Sequence, residues 1–157
     1  LEHKRTYRLF RQEMDGAPAE TRIGKARVTR QGGDLTIFAY GLMLHESLAA
    51  AETLSGEGTE CTVVDLLTLN PLDRETILDS ARATGKVLIV HEDTLTGGLG
   101  GEIAAIIAEH AFEYLDAPIR RVAGPDIPPI PFHHAMEDFF MPNRDKIASA
   151  ARELAAY

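Results

Sequence analysis

The hydrophobic positions change their period along the chain. Leu35–Tyr40 (LTIFAY), Cys61–Leu66 (CTVVDL) and Lys86–His91 (KVLIVH) are short apolar runs of strand-forming residues. Runs like VLIV, apolar on both faces, must be covered above and below. Between them the apolar residues space out helically. Leu42–Ser55 carries Leu44, Leu48 and Ala51 on one stripe, and Gly56 and Gly58 end it. Arg74–Thr84 turns Ile77, Leu78 and Ala81 inward, with Asp73 placed to cap its start and Gly85 to close it. After the glycine-rich stretch Thr96–Gly101, a third helix sets Leu99, Ile103, Ile106, Ile107 and Ala111 on one face, and Glu102, Glu109 and Glu113 on the other. Ala26–Arg30 reads as a short edge strand turned by Gly32-Gly33-Asp34, and Ile119–Ala123 as a fourth short strand after Pro118. A proline-rich connector, Pro125–Pro131, precedes two helical pieces, His134–Phe140 and Asn143–Ala156. Strand–helix alternation predicts an α/β fold: a three-layer α/β/α sandwich around a mostly parallel sheet with an antiparallel edge strand.

Length and composition narrow the class. At 157 residues the chain is one domain plus a tail, and its 45% hydrophobic and 25% charged residues argue against disorder. No apolar run approaches the roughly 18 residues of a membrane span, and no charged start leads into an apolar block, so no membrane association and a cytoplasmic location are expected. The single cysteine, Cys61, excludes an internal disulfide and a thiolate metal cluster. A pI near 5.2 argues against nucleic acid, whose phosphates call for clustered Lys and Arg. The charge is uneven. Residues 1–30 hold eight basic and four acidic residues (8 − 4 = +4), whereas residues 31–157 hold eight and twenty (8 − 20 = −12). The basic arm reads either as a solvated connector or as a segment reaching an acidic surface. The chain opens at Leu1 without a methionine, and residues 1–22, with Asp15-Gly16-Ala17-Pro18, are expected to be a linker from something upstream, leaving 23–157 as the domain.

Two stretches invite a chemical reading. Gly97-Gly98-Leu99-Gly100-Gly101 lies between a strand and a helix, where bare backbone N–H groups can hold a phosphate. The dinucleotide spacing G-x-G-x-x-G fails, because counting from Gly98 its third glycine would fall on Ile103; a P-loop fails because Ser80 stands where its first glycine belongs. Close helix–sheet packing or a partner's approach is the expected reason for these glycines, with an anion site as the alternative. His91-Glu92-Asp93 ends a strand at its carboxyl end, where α/β proteins gather ligands. Acid–base work there would need a nucleophile, metal or cofactor within reach. None is evident, so a hydrogen-bonded loop histidine at an interface is expected. Adjacent His133 and His134 face different ways and chelate poorly, so no metal site is expected. His45, Glu46 and Glu52 read as a solvated helix face, Cys61 as a small buried hydrophobe, and Asp65 as a loop hydrogen-bonder. The residues alone describe an α/β domain with no self-contained active site.

The ordered string of segments says more than any one motif. Ile23-Gly24-Lys25-Ala26, GGDLTIFAYG (32–41), VVDLLTLNPLD (Val63–Asp73), TGKVLIVHED (Thr84–Asp93), TGGLGGEIAA (Thr96–Ala105), LDAPIRRVAGPDIP (Leu115–Pro128) and MPN (Met141–Asn143) fall in sequence. Together, over Ile23–Tyr157, they resemble the C-terminal domain of the beta subunit of thiamine-diphosphate-dependent 2-oxo acid dehydrogenases, the domain that also closes transketolase. His91-Glu92, Leu95–Gly98 and the final Tyr look slightly closer to branched-chain than to pyruvate members; the doubled Pro128-Pro129 departs from the usual spacing. The resemblance implies that thiamine diphosphate and Mg bind between the alpha subunit and the beta subunit's upstream domain. This chain would then hold no cofactor, carry no catalytic residue and be inactive alone. Its expected partners are a second beta subunit, the alpha subunit and the peripheral subunit-binding domain of the dihydrolipoamide acyltransferase. The acid of the L-[DE]-A-P motif, here Asp116, and the terminal carboxylate of Tyr157 would meet basic residues on that docking domain. His91, Glu92, Gly97, Gly98, Gly100 and Gly101 remain candidates for an interface or an anion loop. The competing readings are a free-standing anion-binding α/β protein and the matching domain of a transketolase-like enzyme.

Overall fold

The computed structural model describes residues 4–9, 13, 16, 21–127 and 132–157. Most of the expected linker and the Pro128–Pro131 part of the connector lie outside those residues. A five-stranded sheet runs through the centre in the order β1-β3-β2-β4-β5, made of Arg27–Arg30 (β1), Leu35–Ala39 (β2), Cys61–Asp65 (β3), Val87–Thr94 (β4) and Arg120–Gly124 (β5). β1 is antiparallel to β3, and every other pairing is parallel. The mixed sheet with an antiparallel edge is as the sequence predicts.

The period-two alternation of β2 explains the layers. Leu35, Ile37 and Ala39 face one side with Val63, Leu88 and Val90; there α1 (Leu42–Ser55) and α5 (Arg144–Ala155) cover them with Leu54, Ile147 and Leu154. Phe38 faces the other side with Val64, Val87 and Ile89, under Ile77 of α2 (Arg74–Thr84) and Ile103 and Ile107 of α3 (Leu99–Ala111). Each fully buried aliphatic or aromatic side chain contributes about 1.5–3 kcal/mol relative to exposure, so two filled faces fix which helix lies where. Asp73 caps α2 by accepting from Thr76 N, and Gly85 ends it in the left-handed region at φ 66°. Asn143 caps α5, its side chain accepting from Lys146 N. A short helix, α4 (His134–Phe140), turns Phe140 inward against Gly124.

The differences from expectation lie at element ends. Ala26 is not in the edge strand, because its N–H is given to the Asp73 carboxylate at 2.9 Å. β4 does not stop at His91: it continues through the polar Glu92-Asp93-Thr94, pairing Thr94 with Gly124 across a bulge. β5 accordingly runs one residue later than expected, to Gly124. Gly100 and Gly101 are not loop residues but the first turn of α3.

Candidate functional site

One groove joins residues far apart in sequence. It has a volume of about 510 Å³ and is lined by Phe112, Leu115, Asp116, Pro118, Ile119 and Tyr157, among others. α3 stops because its chain tightens into a 3-10 turn, Phe112–Tyr114, closed by Leu115 N donating to Phe112 O at 3.1 Å. That turn throws Phe112 outward, leaving it 74% exposed, while Ala111 beside it is buried. The LDAP segment then crosses the edge of the sheet, and Ala117 enters the core. Asp116 stays exposed, and its carboxylate makes no hydrogen bond or ion pair among the described residues. Tyr157, 63% exposed, closes the other wall from the end of α5. Arg82, close to this rim, is tied down elsewhere: it lies 5.5 Å over the Tyr114 ring and donates to His110 O at 3.0 Å. Glu153 is held 3.7 Å from Arg120, and Glu109 and Glu113 are exposed on the neighbouring helix end. The arrangement is an apolar trough with an uncommitted acid on its lip, suited to an apolar anchor flanked by positive charge.

The carboxyl end of the sheet is built differently. His91 lies within β4, fully buried, and neither ring nitrogen has a hydrogen-bond partner among the described residues. It is thus not the hydrogen-bonded loop histidine expected from the sequence. Its ring stacks with Tyr40, centroids 6.5 Å apart and planes 8° from parallel. Gly98 and Gly100 make room for it. A Cβ on Gly98 would stand 2.7 Å from His91 Cε1, and one on Gly100 would press on the Nε2 side of the same ring. Burial holds the imidazole below its ordinary pKa, outweighing the pull of Asp93 the other way, so it is neutral at pH 7. The Tyr40 hydroxyl is pushed up, first by burial and then by Asp93 and Glu92. Half-buried Glu92 follows His91 along the strand, and Gly97 is exposed at φ 77°. Arg121 Nη1 donates to Leu95 O at 3.0 Å and lies 3.6 Å from where a Gly101 Cβ would be. Asp126 fastens the loop by accepting from Thr96 N at 3.0 Å and Thr96 Oγ1 at 2.6 Å, contacts that also lower its pKa.

That geometry bears on cofactors. At the start of α3 the His91 ring packs directly against the bare α-carbons of Gly98 and Gly100. No group of three His, Cys, Asp or Glu side chains among the described residues is placed to hold a metal ion. The described residues thus offer no cluster of carboxylates or imidazoles for the magnesium of thiamine diphosphate. His133 and His134 are exposed at the start of α4. Cys61 is buried, which pushes its thiol up to about 11 and away from reactivity. Asp65 accepts from Leu67 N at 3.2 Å and lies 3.4 Å from Arg27. His45 is half-buried; Glu46 accepts from Arg144 N at 2.9 Å, and Glu52 pairs with Arg30 at 3.0 Å, so that helix face also ties elements together.

Sequence reading passed over Phe112, Tyr40, Arg121 and Asp126. Phe112 had a signal: an aromatic one position past Ala111, out of phase with the buried stripe of α3. For the others the signal is spatial, since strand ends bring them together.

Comparisons with known proteins come in three kinds. The profile of the family described as "Transketolase, C-terminal domain" matches residues 24–147. The 2-oxoisovalerate dehydrogenase subunit beta of Bacillus subtilis (strain 168) is 51% identical over 157 residues, which is 100% of this chain and 48% of the relative. The pyruvate dehydrogenase E1 component subunit beta of the same organism is 41% identical over the same 157 residues, again 48% of its length. Among solved structures, "Split gene transketolase, inactive beta4 tetramer" superposes with a TM-score of 0.77 at 30% identity, covering 92% of this chain and 46% of that one. The chain spans about half the length of the relatives it matches.

Proposed function

The chain belongs to the family of transketolase C-terminal domains, and from that premise we propose that it is the assembly and docking domain of a 2-oxo acid dehydrogenase beta subunit. In this reading, bond-making takes place on polypeptide outside these residues, where thiamine diphosphate and magnesium lie between the upstream domain and the alpha subunit. This domain supplies contacts to a second beta subunit and to the alpha subunit. It also presents the surface to which the peripheral subunit-binding domain of a dihydrolipoamide acyltransferase docks, in the cytoplasm. Asp116 and Tyr157 carry the docking, and the observation behind it is their meeting in one apolar groove with the Asp116 carboxylate uncommitted. The physics favours a basic partner: a body with a net charge of −12 over residues 31–157 steers cations to it, and a free carboxylate makes charge-assisted hydrogen bonds on arrival.

The assembled full-length subunit, titrated with a purified subunit-binding domain at low and moderate salt, tests this. Asp116→Lys should weaken binding by at least about tenfold, and salt should weaken the wild type. Affinity indifferent to both removes the docking assignment. A thermal-shift screen with phosphate and thiamine diphosphate should leave this chain unmoved; a shift abolished by Gly98→Glu would restore the anion-loop reading.

A further inference from the structure

This inference rests on the docking reading above and concerns what holds its two groups, the Asp116 side chain and the chain end at Tyr157, in register. We propose that the turn between α2 and β4, Gly85-Lys86, is the spacer that places Asp116 and Tyr157 on one surface. Gly85 seats Asp116, and Lys86 holds the last turn of α5, which carries Tyr157.

Gly85 is left-handed at φ 66°, and its carbonyl accepts from Asp116 N at 2.8 Å. The Asp116 carboxylate lies directly over its bare α-carbon. A Cβ there would press into that carboxylate, 2.9 Å from Cγ, and stand 3.0 Å from Tyr114 O. Only glycine leaves Asp116 in place. The next residue reaches the other way: Lys86 Nζ donates to Ala155 O at 2.8 Å, 69 positions along the chain. Carbonyls in the last turn of a helix lack intrahelical partners, and a cation there also suits the dipole. Tyr157 follows two residues later. The turn itself is pinned, since Lys86 O accepts from Thr36 N at 2.8 Å and from Thr84 Oγ1 at 3.2 Å. One rigid turn therefore touches both walls of the groove.

Charge and position predict opposite signs, which makes the test sharp. A lysine beside a site for a basic partner opposes binding by charge alone, so removing it should tighten the complex; as a positioning residue, its loss should loosen it. In the assembled full-length subunit, with the purified subunit-binding domain as probe, Lys86→Met should speed dissociation by about tenfold, with association unchanged or faster. The effect should vanish when Tyr157 is deleted and the chain end withdrawn, and Lys86→Arg should keep most of the wild-type affinity. If Asp116→Lys and deletion of Tyr157 weaken binding while Lys86→Met does not, or if the Lys86→Met and Tyr157-deletion losses add in full, the spacer role is wrong and the docking reading survives. If the wild type does not bind, or Asp116→Lys is neutral, both fall together. Should Lys86→Met fail to fold, Gly85→Ala decides: it should weaken binding alone but not in an Asp116→Ala background, and losses that add would overturn the spacer role.

Discussion

The groove at Asp116 and the crevice at His91 invert each other. In an open α/β sheet the crevice is where a ligand belongs: it lies at the carboxyl ends of β2 and β4, whose following helices leave on opposite faces of the sheet. Here the protein's own imidazole occupies it, with two glycines shaped to the ring and Tyr40 stacked on it. The groove, on the edge of the molecule beside β5, holds the exposed aromatic, the free carboxylate and the unfilled volume. A fold rule gives the place where backbone geometry favours a site. Whether one exists there depends on which side chains are already spent on one another, and at His91 they are.

The largest effects should come from the glycines of the crevice. A Cβ on Gly98 meets the backbone oxygen of Thr94 as well as the His91 ring, and backbone cannot step aside. Gly98→Ala should cost about 3 kcal/mol in chemical denaturation. A Cβ on Gly100 would press on the His91 ring, with Ile89 Cγ2 its next neighbour at 3.4 Å, so its cost should be conditional. Gly100→Ala alone should destabilise by about 1–3 kcal/mol, but in a His91→Ala background it should be neutral or stabilising, because alanine is the better helix former by about 0.5–1 kcal/mol. If the two losses simply add, the glycines are not there for the histidine, and the contrast between filled crevice and open groove dissolves.

A smaller effect follows from the same ring. Burial lowers the folded-state pKa of His91, so the unfolded chain takes up the proton first as pH falls. Its contribution to stability is complete above the unfolded pKa of about 6.5, is lost as pH drops towards the lowered folded value, and changes no further below that. One proton limits the slope to about 1.4 kcal/mol per pH unit. Asp93 and Arg121 bear on the ring's charge in opposite senses and would be present in both proteins compared. Denaturation midpoints between pH 7 and pH 5 should fall more steeply for the wild type than for His91→Leu; parallel curves would mean the ring is not desolvated.

The two regions also differ in what the sequence discloses. The Asp73 cap, the Gly85 stop and the buried stripes of α1, α2 and α3 are legible because each is a local device: a side chain within three residues of the N–H it caps, or a period of 3.6. The tail of β4 is not, because Glu92-Asp93-Thr94 has no strand composition and becomes strand through a partner 30 residues on. The glycines of the crevice are legible as a demand for close approach, yet nothing local says that His91, seven residues upstream of Gly98, is what approaches. Asp116 and Tyr157 lie 41 positions apart, and only the resemblance of the ordered segments put them together before the fold did. Phe112 and Lys86 were hidden for the same reason: their roles depend on a 3-10 turn and a helix end placed by packing.

The smallest stability change should sit in the groove, and it separates the two regions most cleanly. Phe112 is 74% exposed, so Phe112→Ser removes little buried surface and should shift unfolding by no more than about 0.5 kcal/mol. An aromatic on the wall of an apolar trough is nonetheless the kind of side chain that carries binding energy once a partner excludes water from it. The same substitution should therefore weaken a basic partner's affinity by about fivefold or more, with the loss in dissociation rather than in salt-dependent association. Calorimetry on the domain and binding kinetics on the assembled subunit read the two quantities independently. A domain that melts early would place Phe112 with the structural residues of the crevice. Unchanged affinity would leave the groove as ordinary surface, with Asp116 attracting partners that never seat beside it.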